Sequence, residues 1–412
     1  MRSTRVVITL FFFADGLLLG SWASRIPAVQ AQAGLTNAAL GFALFASSLG
    51  ALVAMPIAGQ LCERIGSARV TVAALVVAWV CLVGASAAGG FAALALGLLG
   101  FGAGFGSVNV AANTQGIALE RLYGRPILSA FHAAFSVGGM AGAAAGALAA
   151  RFGVTPNTHI GALALVLSVS AIALRRRLLP AVAGDRAPRR AMRRPSRALL
   201  LLGAAAFCTL LAEGSAADWS ATYLRQSMAA TSAVAGLGYA TFSLAMASSR
   251  MLGDRLGRRL GPAMLARVGG MLASCGLSAA LLAGSPQLAL VGFAAMGAGL
   301  GVVVPVLFRA AGSTPGTSAS VGVATVSSIG WLGFLAGPPA VGLAAGAIGL
   351  RAALGIVVAA MVCLVFLAQS ARSRPPEASA VSALRPQESA RRTRSPSNAS
   401  RSTGSLLNTN RM

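Results

Sequence analysis

Most of this chain consists of apolar runs of about 18–25 residues, the length that crosses a hydrocarbon core of about 30 Å. Twelve runs can be traced, over residues 6–26, 36–60, 70–88, 91–118, 126–149, 158–175, 198–222, 231–252, 262–283, 287–309, 317–341 and 350–370. A segment in hydrocarbon must satisfy its own backbone N–H and C=O groups, and a helix does this without a partner strand. The pattern predicts an all-α membrane protein of twelve transmembrane helices. Charged residues make up only 10% of the chain, too few to coat a water-facing surface. Fifty glycines, many inside the runs, let helix backbones approach closely.

The two longest connections organise the chain. Residues 1–175 are expected to form one six-helix half and 198–370 a second, in two pseudo-symmetric bundles. Between them, 176–197 is a linker; residues 175–197 hold nine arginines and one acid. Residues 371–412, rich in Ser, Pro and Arg, read as a disordered tail. The net charge is +24, yet there is no lysine; all 33 basic residues are arginine. A P-loop needs its lysine at the phosphates, so the chain cannot supply its own ATPase engine. The arginines fall between apolar runs, which argues against nucleic-acid binding.

Their placement sets the orientation. With the N-terminus inside, 29 arginines lie in inner segments and four (Arg25, Arg151, Arg225, Arg351) in outer ones. This is the positive-inside bias. It predicts a multi-pass protein of the cell inner membrane with both termini cytoplasmic. Arg2 and Arg5 precede an apolar stretch as in a signal peptide, but Asp15 interrupts it and a second run follows, so an uncleaved first helix is expected. Five scattered cysteines and two histidines offer neither a disulfide framework nor a metal site. No cofactor and no metal are expected.

The two halves echo each other. Gly102-Ala103-Gly104-Phe105-Gly106 recurs as Gly297-Ala298-Gly299-Leu300-Gly301, an offset of 195. Ser136-Val137-Gly138 recurs as Ser328-Ile329-Gly330, and Ala14-Asp15-Gly16 as Ala212-Glu213-Gly214. Parallel six-helix repeats are a transporter architecture.

Two connections carry a shared motif. The first runs from Gly59 through Glu63, Arg64 and Gly66 to Arg69; the second runs through Gly253, Asp254, Arg255, Arg258 and Arg259. Both resemble the cytoplasmic signature of the major facilitator superfamily, although Ala68 and Arg250 depart from its pattern. The acid can oppose a helix dipole and the arginines can bridge to the other half, so a cytoplasmic gate is expected here. The plainer role is a charged turn that holds the loop inside. A closer resemblance covers nearly the whole chain. Gly20-Ser21-Trp22-Ala23-Ser24-Arg25-Ile26-Pro27, Asn109 to Gly116, Gly124 to His132 and Ala217-Asp218-Trp219-Ser220 are similar to bacterial permeases of the YbjJ type, near the fucose permease group. That resemblance implies secondary transport of a sugar or other small polar solute, coupled to protons.

In the fold this resembles, helices 1, 4, 7 and 10 line the central cavity. There the sequence places Asp15, Asn109, Asn113, Gln115, Glu213 and Asp218, with His132 in helix 5. Asn109 and Asn113 share a helix face and can bind solute hydroxyls; their other use is interhelical hydrogen bonding. His132 suits a proton relay or a tie to a neighbouring helix. Asp15 is expected to be the proton-linked, cavity-facing acid, with Glu213 its repeat partner and rival. Trp22 and Trp219 are expected as interfacial anchors, or else as stacking faces for a sugar ring. Gly138, Gly142 and Gly146, with Gly333 and Gly337, are expected at close helix contacts.

The function expected is secondary active symport of a small polar solute by alternating access, by a monomeric permease whose partners are solute, protons and bilayer. Export of hydrophobic or cationic compounds is the second reading, and a non-transporting sensor or scaffold the third. No nucleophile–base set points to an enzyme.

Overall fold

The computed structural model describes residues 2–124, 127–180, 195–315, 317 and 319–371. The expected linker centre and tail lie outside these residues. The first six long helices are α1 (Arg2–Gln32), α2 (Asn37–Ile65), α3 (Ser67–Ser86), α4 (Phe91–Tyr123), α5 (Leu128–Arg151) and α6 (Pro156–Leu174). After the linker come α7 (Arg197–Ser227), α8 (Ser232–Leu260), α9 (Pro262–Leu282), α10 (Pro286–Gly312), α11 (Ala319–Ile348) and α12 (Leu350–Leu367).

Eleven of these helices are long and apolar enough to cross a membrane. The exception is α8, whose Ser, Thr and Tyr residues and terminal arginines dilute its apolar content. Its 29 residues still extend about 44 Å, enough to span. The protein is thus an all-helical membrane bundle.

Local chemistry sets the helix ends. The hydroxyls of Thr36, Thr155, Ser196, Thr231 and Ser285 each accept the N–H of the residue three further on. That satisfies a donor which the first turn leaves unpaired. Proline opens α6, α9 and α10, where its missing N–H costs nothing. Gly66 and Gly261 close α2 and α8 at φ of 90° and 76°. The two motif segments expected as loops are therefore largely helical; the turn itself shrinks to one glycine each time. Helix α10 breaks between Leu300 and Val303. Pro305 has no N–H for the Gly301 carbonyl, so the helical ladder cannot run through.

Packing reveals the repeat directly. A Cβ on Gly102 of α4 would strike Ser47 of α2, and one on Gly297 of α10 would strike Phe242 of α8. Gly104 abuts Ala78 as Gly299 abuts Ala273, and Gly106 abuts Ala51 as Gly301 abuts Met246. Every member of these contacts recurs 195 residues later. The α1/α5 contact recurs as α7/α11: Gly138 meets Phe13 and Leu17, and Gly333 meets Phe207 and Leu211. Here α5 and α11 keep the offset of 195, while α1 and α7 differ by 194.

This register corrects three sequence alignments. Ser136 corresponds to Trp331, not to Ser328. Asp15 corresponds to Thr209, not to Glu213, which stands where the first half has Leu19. Glu63 corresponds to Arg258, so the second motif's acid, Asp254, sits one turn deeper along its helix. Short motifs in a Gly- and Ala-rich chain can match one turn out of register, whereas backbone contacts cannot. The outer surface is apolar, with Leu96, Leu165 and Phe366 each more than 60% exposed, as a hydrocarbon-facing surface requires.

Candidate functional site

Among the described residues, a charged cluster lies in the interior where α5, α7 and α8 meet. Glu213, midway along α7, faces Arg250 of α8, with Nη2 to Oε1 at 3.6 Å. Their side chains are 14% and 17% exposed. Arg250 Nη1 donates to Ser136 Oγ of α5 at 2.6 Å. Ser136 in turn donates to the His132 carbonyl (3.3 Å), and its own carbonyl accepts from Ser243 Oγ of α8 (3.0 Å). Tyr239, one turn before Ser243, is 2% exposed and stacks on Phe242. Its hydroxyl and Ser243 Oγ lie side by side over Gly139, near the side chains of Glu213, Arg250 and Asp218. Gly139 makes this approach possible, because a Cβ there would come 2.8 Å from Ser243 Oγ.

Such a cluster is costly in a low dielectric unless its charges are paired and its polar atoms bonded. Here the guanidinium has a counter-ion on its own side and a hydroxyl on the other half. The bond to Ser136 thus joins residues before and after the linker. In sequence Arg250 is an inner-side helix-end arginine that departs from the motif. The structure puts it in α8, nearly three turns before the helix ends.

A second inter-half contact lies at the end opposite the linker. Gln30 of α1 donates to Asn37 Oδ1 of α2 (2.8 Å), Asn37 donates to Gln226 Oε1 of α7 (3.0 Å), and Gln226 donates back to Gln30 Oε1 (3.0 Å). Near it, Gly41 of α2 lies against Pro338 and Gly342 of α11, and Ser48 Oγ donates to the Phe334 carbonyl (3.0 Å). At the linker end, Glu63, Arg64, Arg69, Arg255, Arg258 and Arg259 are exposed. The side chain of Asp254 lies outside what the structure describes. Gly59 has open space beside it, and a Cβ on Gly253 would come 3.5 Å from Val302 of its own half.

The other expected residues are scattered. Asp15 is 3% exposed, and its Oδ1 has no hydrogen-bond partner. Asn109 and Asn113 are half-buried, and the Asn113 amide donates to the Asn109 carbonyl (2.7 Å). Gln115 faces elsewhere: its amide donates to Ser67 Oγ and the Leu179 carbonyl, and its oxygen accepts from the Leu179 N–H. That ties α4 to the start of α3 and to the segment after α6. His132 sets its ring edge-on to Phe12 at 5.4 Å. Asp218 is half-buried on α7, beside Tyr239.

Three expectations near the far end are corrected. Arg25 is not a loop residue: it lies inside α1, 3% exposed, donating to the carbonyls of Gly146 and Val154. There it caps the end of α5, where the helix dipole favours a cation. Trp22 and Trp219 are 2% and 0% exposed, so they are core residues, with neither ring at an interface or open to a solute. Sequence reading missed Tyr239, Ser243 and Trp331. For Tyr239 and Ser243 the available signal was that 231–252 has the lowest mean hydropathy of the twelve runs while still long enough to span; Trp331, in the run 317–341, carried no such signal.

Comparison with known proteins decides the family. The sequence model of the Major Facilitator Superfamily matches residues 6–310. The chain belongs to the major facilitator superfamily. It is 34% identical over 371 residues to an uncharacterized MFS-type transporter of Yersinia pestis, covering 90% of this chain and 96% of that one. It is also 34% identical over 386 residues to membrane protein MosC of Rhizobium meliloti, covering 91% and 93%. Among solved structures it superposes on a mutant of the nucleoside transporter NupG with a TM-score of 0.73 at 13% identity, covering 90% of this chain and all of that one. A bacterial homolog of the lysosomal transporter Spinster, inward-facing and occupied, gives 0.70 at 15% identity, covering 89% and 95%. At such identities these likenesses show the fold. This superfamily consists of transporters, not enzymes, so the protein is a multi-pass membrane transporter of small molecules.

Proposed function

We propose that this transporter is a proton-coupled secondary carrier of a small polar solute, working in the inner membrane by alternating access as a monomeric permease. Both termini and the linker lie in the cytoplasm, as the arginine bias supports. The inter-half amide ring and the exposed motif residues then correspond to an inward-open state. The expected gate closes in the opposite state, when the two motif-bearing helix ends meet. The observation that carries the reading is the Glu213–Arg250 pair, bonded through Ser136 to the other half. An intramembrane ion pair is costly and serves solute or ion pathways far better than scaffolding. Asp218 and Tyr239 extend the site, Asn109 and Asn113 supply amides for solute hydroxyls, and Asp15 and His132 are candidates for proton transfer.

A thermal-shift screen of the purified protein against sugars, organic acids and lipophilic cations tests this. A ligand that binds the native state raises its apparent stability by mass action. A polar solute should stabilise the wild type and not Arg250→Gln. Stabilisation by lipophilic cations alone would replace this reading with export.

A further inference from the structure

Trp331 is the one tryptophan with part of its ring exposed; Trp22, Trp79 and Trp219 are sealed in the core. On α11 it shares a face with Phe334 and Pro338, the face that meets α2. It lies one turn closer to the linker end than Phe334, where the Ser48 bond joins the halves. By the 195-residue register, Trp331 corresponds to Ser136, the residue that Arg250 holds on the other seam. The indole and the guanidinium thus stand at corresponding depths on the two seams. Phe334 extends the aromatic surface to α7: its ring packs 5.2 Å from Trp331 and lies over Gly214, which follows Glu213 in the chain.

Arg250 is only partly engaged. A guanidinium has five N–H donors in a planar fork. Ser136 takes one, and Glu213 is reached at 3.6 Å, well beyond the length of about 2.7–2.9 Å for a charge-assisted hydrogen bond. Glu213 is a loose counter-ion on a fork that fits a carboxylate with two bonds.

We propose that the solute is a ring-bearing carboxylate whose acid group takes Arg250 from Glu213 while its ring lies against Trp331. The inference rests on the central-site reading above. Glu213, displaced beside Asp218, then takes a proton from the water of the open side. One proton enters with one carboxylate, and the charge of the site is unchanged. Return of Glu213 to Arg250 expels the acid and frees the proton on the other side.

The test titrates purified full-length protein, followed by tryptophan fluorescence, with glucuronate and benzoate and their neutral counterparts glucose and benzyl alcohol. At least one acid should bind, and its neutral counterpart should bind about tenfold more weakly or worse, since a hydrogen bond to a charged group is at stake. Arg250→Gln should remove acid binding. Glu213→Gln should tighten it about threefold or more, because the competing carboxylate is gone. Misfolding cannot mimic that gain. Equal binding of the neutral compounds, weakening by Glu213→Gln, or binding by neither acid would each overturn the proposal. The central-site reading is judged separately by the thermal-shift screen: a neutral solute that stabilises the wild type and not Arg250→Gln keeps the site and removes the acid.

Discussion

Arg250 on α8 and Ser136 on α5 are 114 residues apart in sequence and 2.6 Å apart in space, and their bond joins the two halves deep within the bundle. On the other seam the corresponding positions are Met55 and Trp331, so at this depth the pseudo-symmetric frame sets a polar pair on one side against apolar side chains on the other. Rocking must break the polar pair or carry it along, and its cost depends on what else Arg250 can bind. A solute that offers Arg250 new acceptors lowers that cost, which is how binding can be linked to movement.

Close helix contact sets the first prediction. Gly138→Leu places a side chain against Phe13 and Leu17 of α1. Overpacking of this kind costs about 1–3 kcal/mol or more. The variant should show a lower thermal midpoint and less monodisperse protein. Gly161→Ala, which has open space, should match the wild type.

The amide ring sets the second. Gln226→Leu removes both of its bonds to the other half and leaves the Gln30–Asn37 bond. Two neutral hydrogen bonds are worth about 1–3 kcal/mol together. With the five native cysteines replaced by serine, a cysteine at position 48 should react several-fold faster with an impermeant thiol reagent added from that side. An unchanged rate would mean that the ring does not hold this end closed.

Asp15 offers a third. One of its oxygens is buried without a partner, and an unsatisfied buried polar atom costs about 1–3 kcal/mol. Asp15→Asn should fold at least as stably as the wild type. In proteoliposomes with an identified solute, proton-driven accumulation should vanish while solute exchange survives. Full accumulation would exclude Asp15 as the coupling acid and leave Glu213.

Orientation gives a fourth. Reporter fusions at Gly184 and near Ser400 should both report cytoplasm. A periplasmic signal at either position would break the paired six-helix topology.

The gate gives the last. Asp254→Asn should raise thiol accessibility from the linker end while expression stays normal. Lost expression with unchanged accessibility would assign the motif to topology alone.

The sequence by itself determined the class of fold. Runs of spanning length allow only helices in hydrocarbon, and Gly102 and Gly297 already announced the repeat at its true offset, because close packing demands glycine at the same place in each half. The runs 36–60 and 231–252 begin at the residues that cap their helices, Thr36 and Thr231, since capping is local chemistry. The site was not. Glu213 and Asp218 stood out as intramembrane acids, but Arg250 looked like an inner helix-end cation because it closes an apolar run next to a basic motif. Only the extension of α8 past that run, and its packing on α5, brought the guanidinium between Glu213 and Ser136. The pairing of Asp15 with Glu213 failed for the same reason: a one-turn slip leaves a short motif plausible, and only interhelical contacts fix the register. Length and hydropathy act within a segment and can be read from it. Which polar groups meet depends on how distant helices cross, and that is decided by the packed bundle.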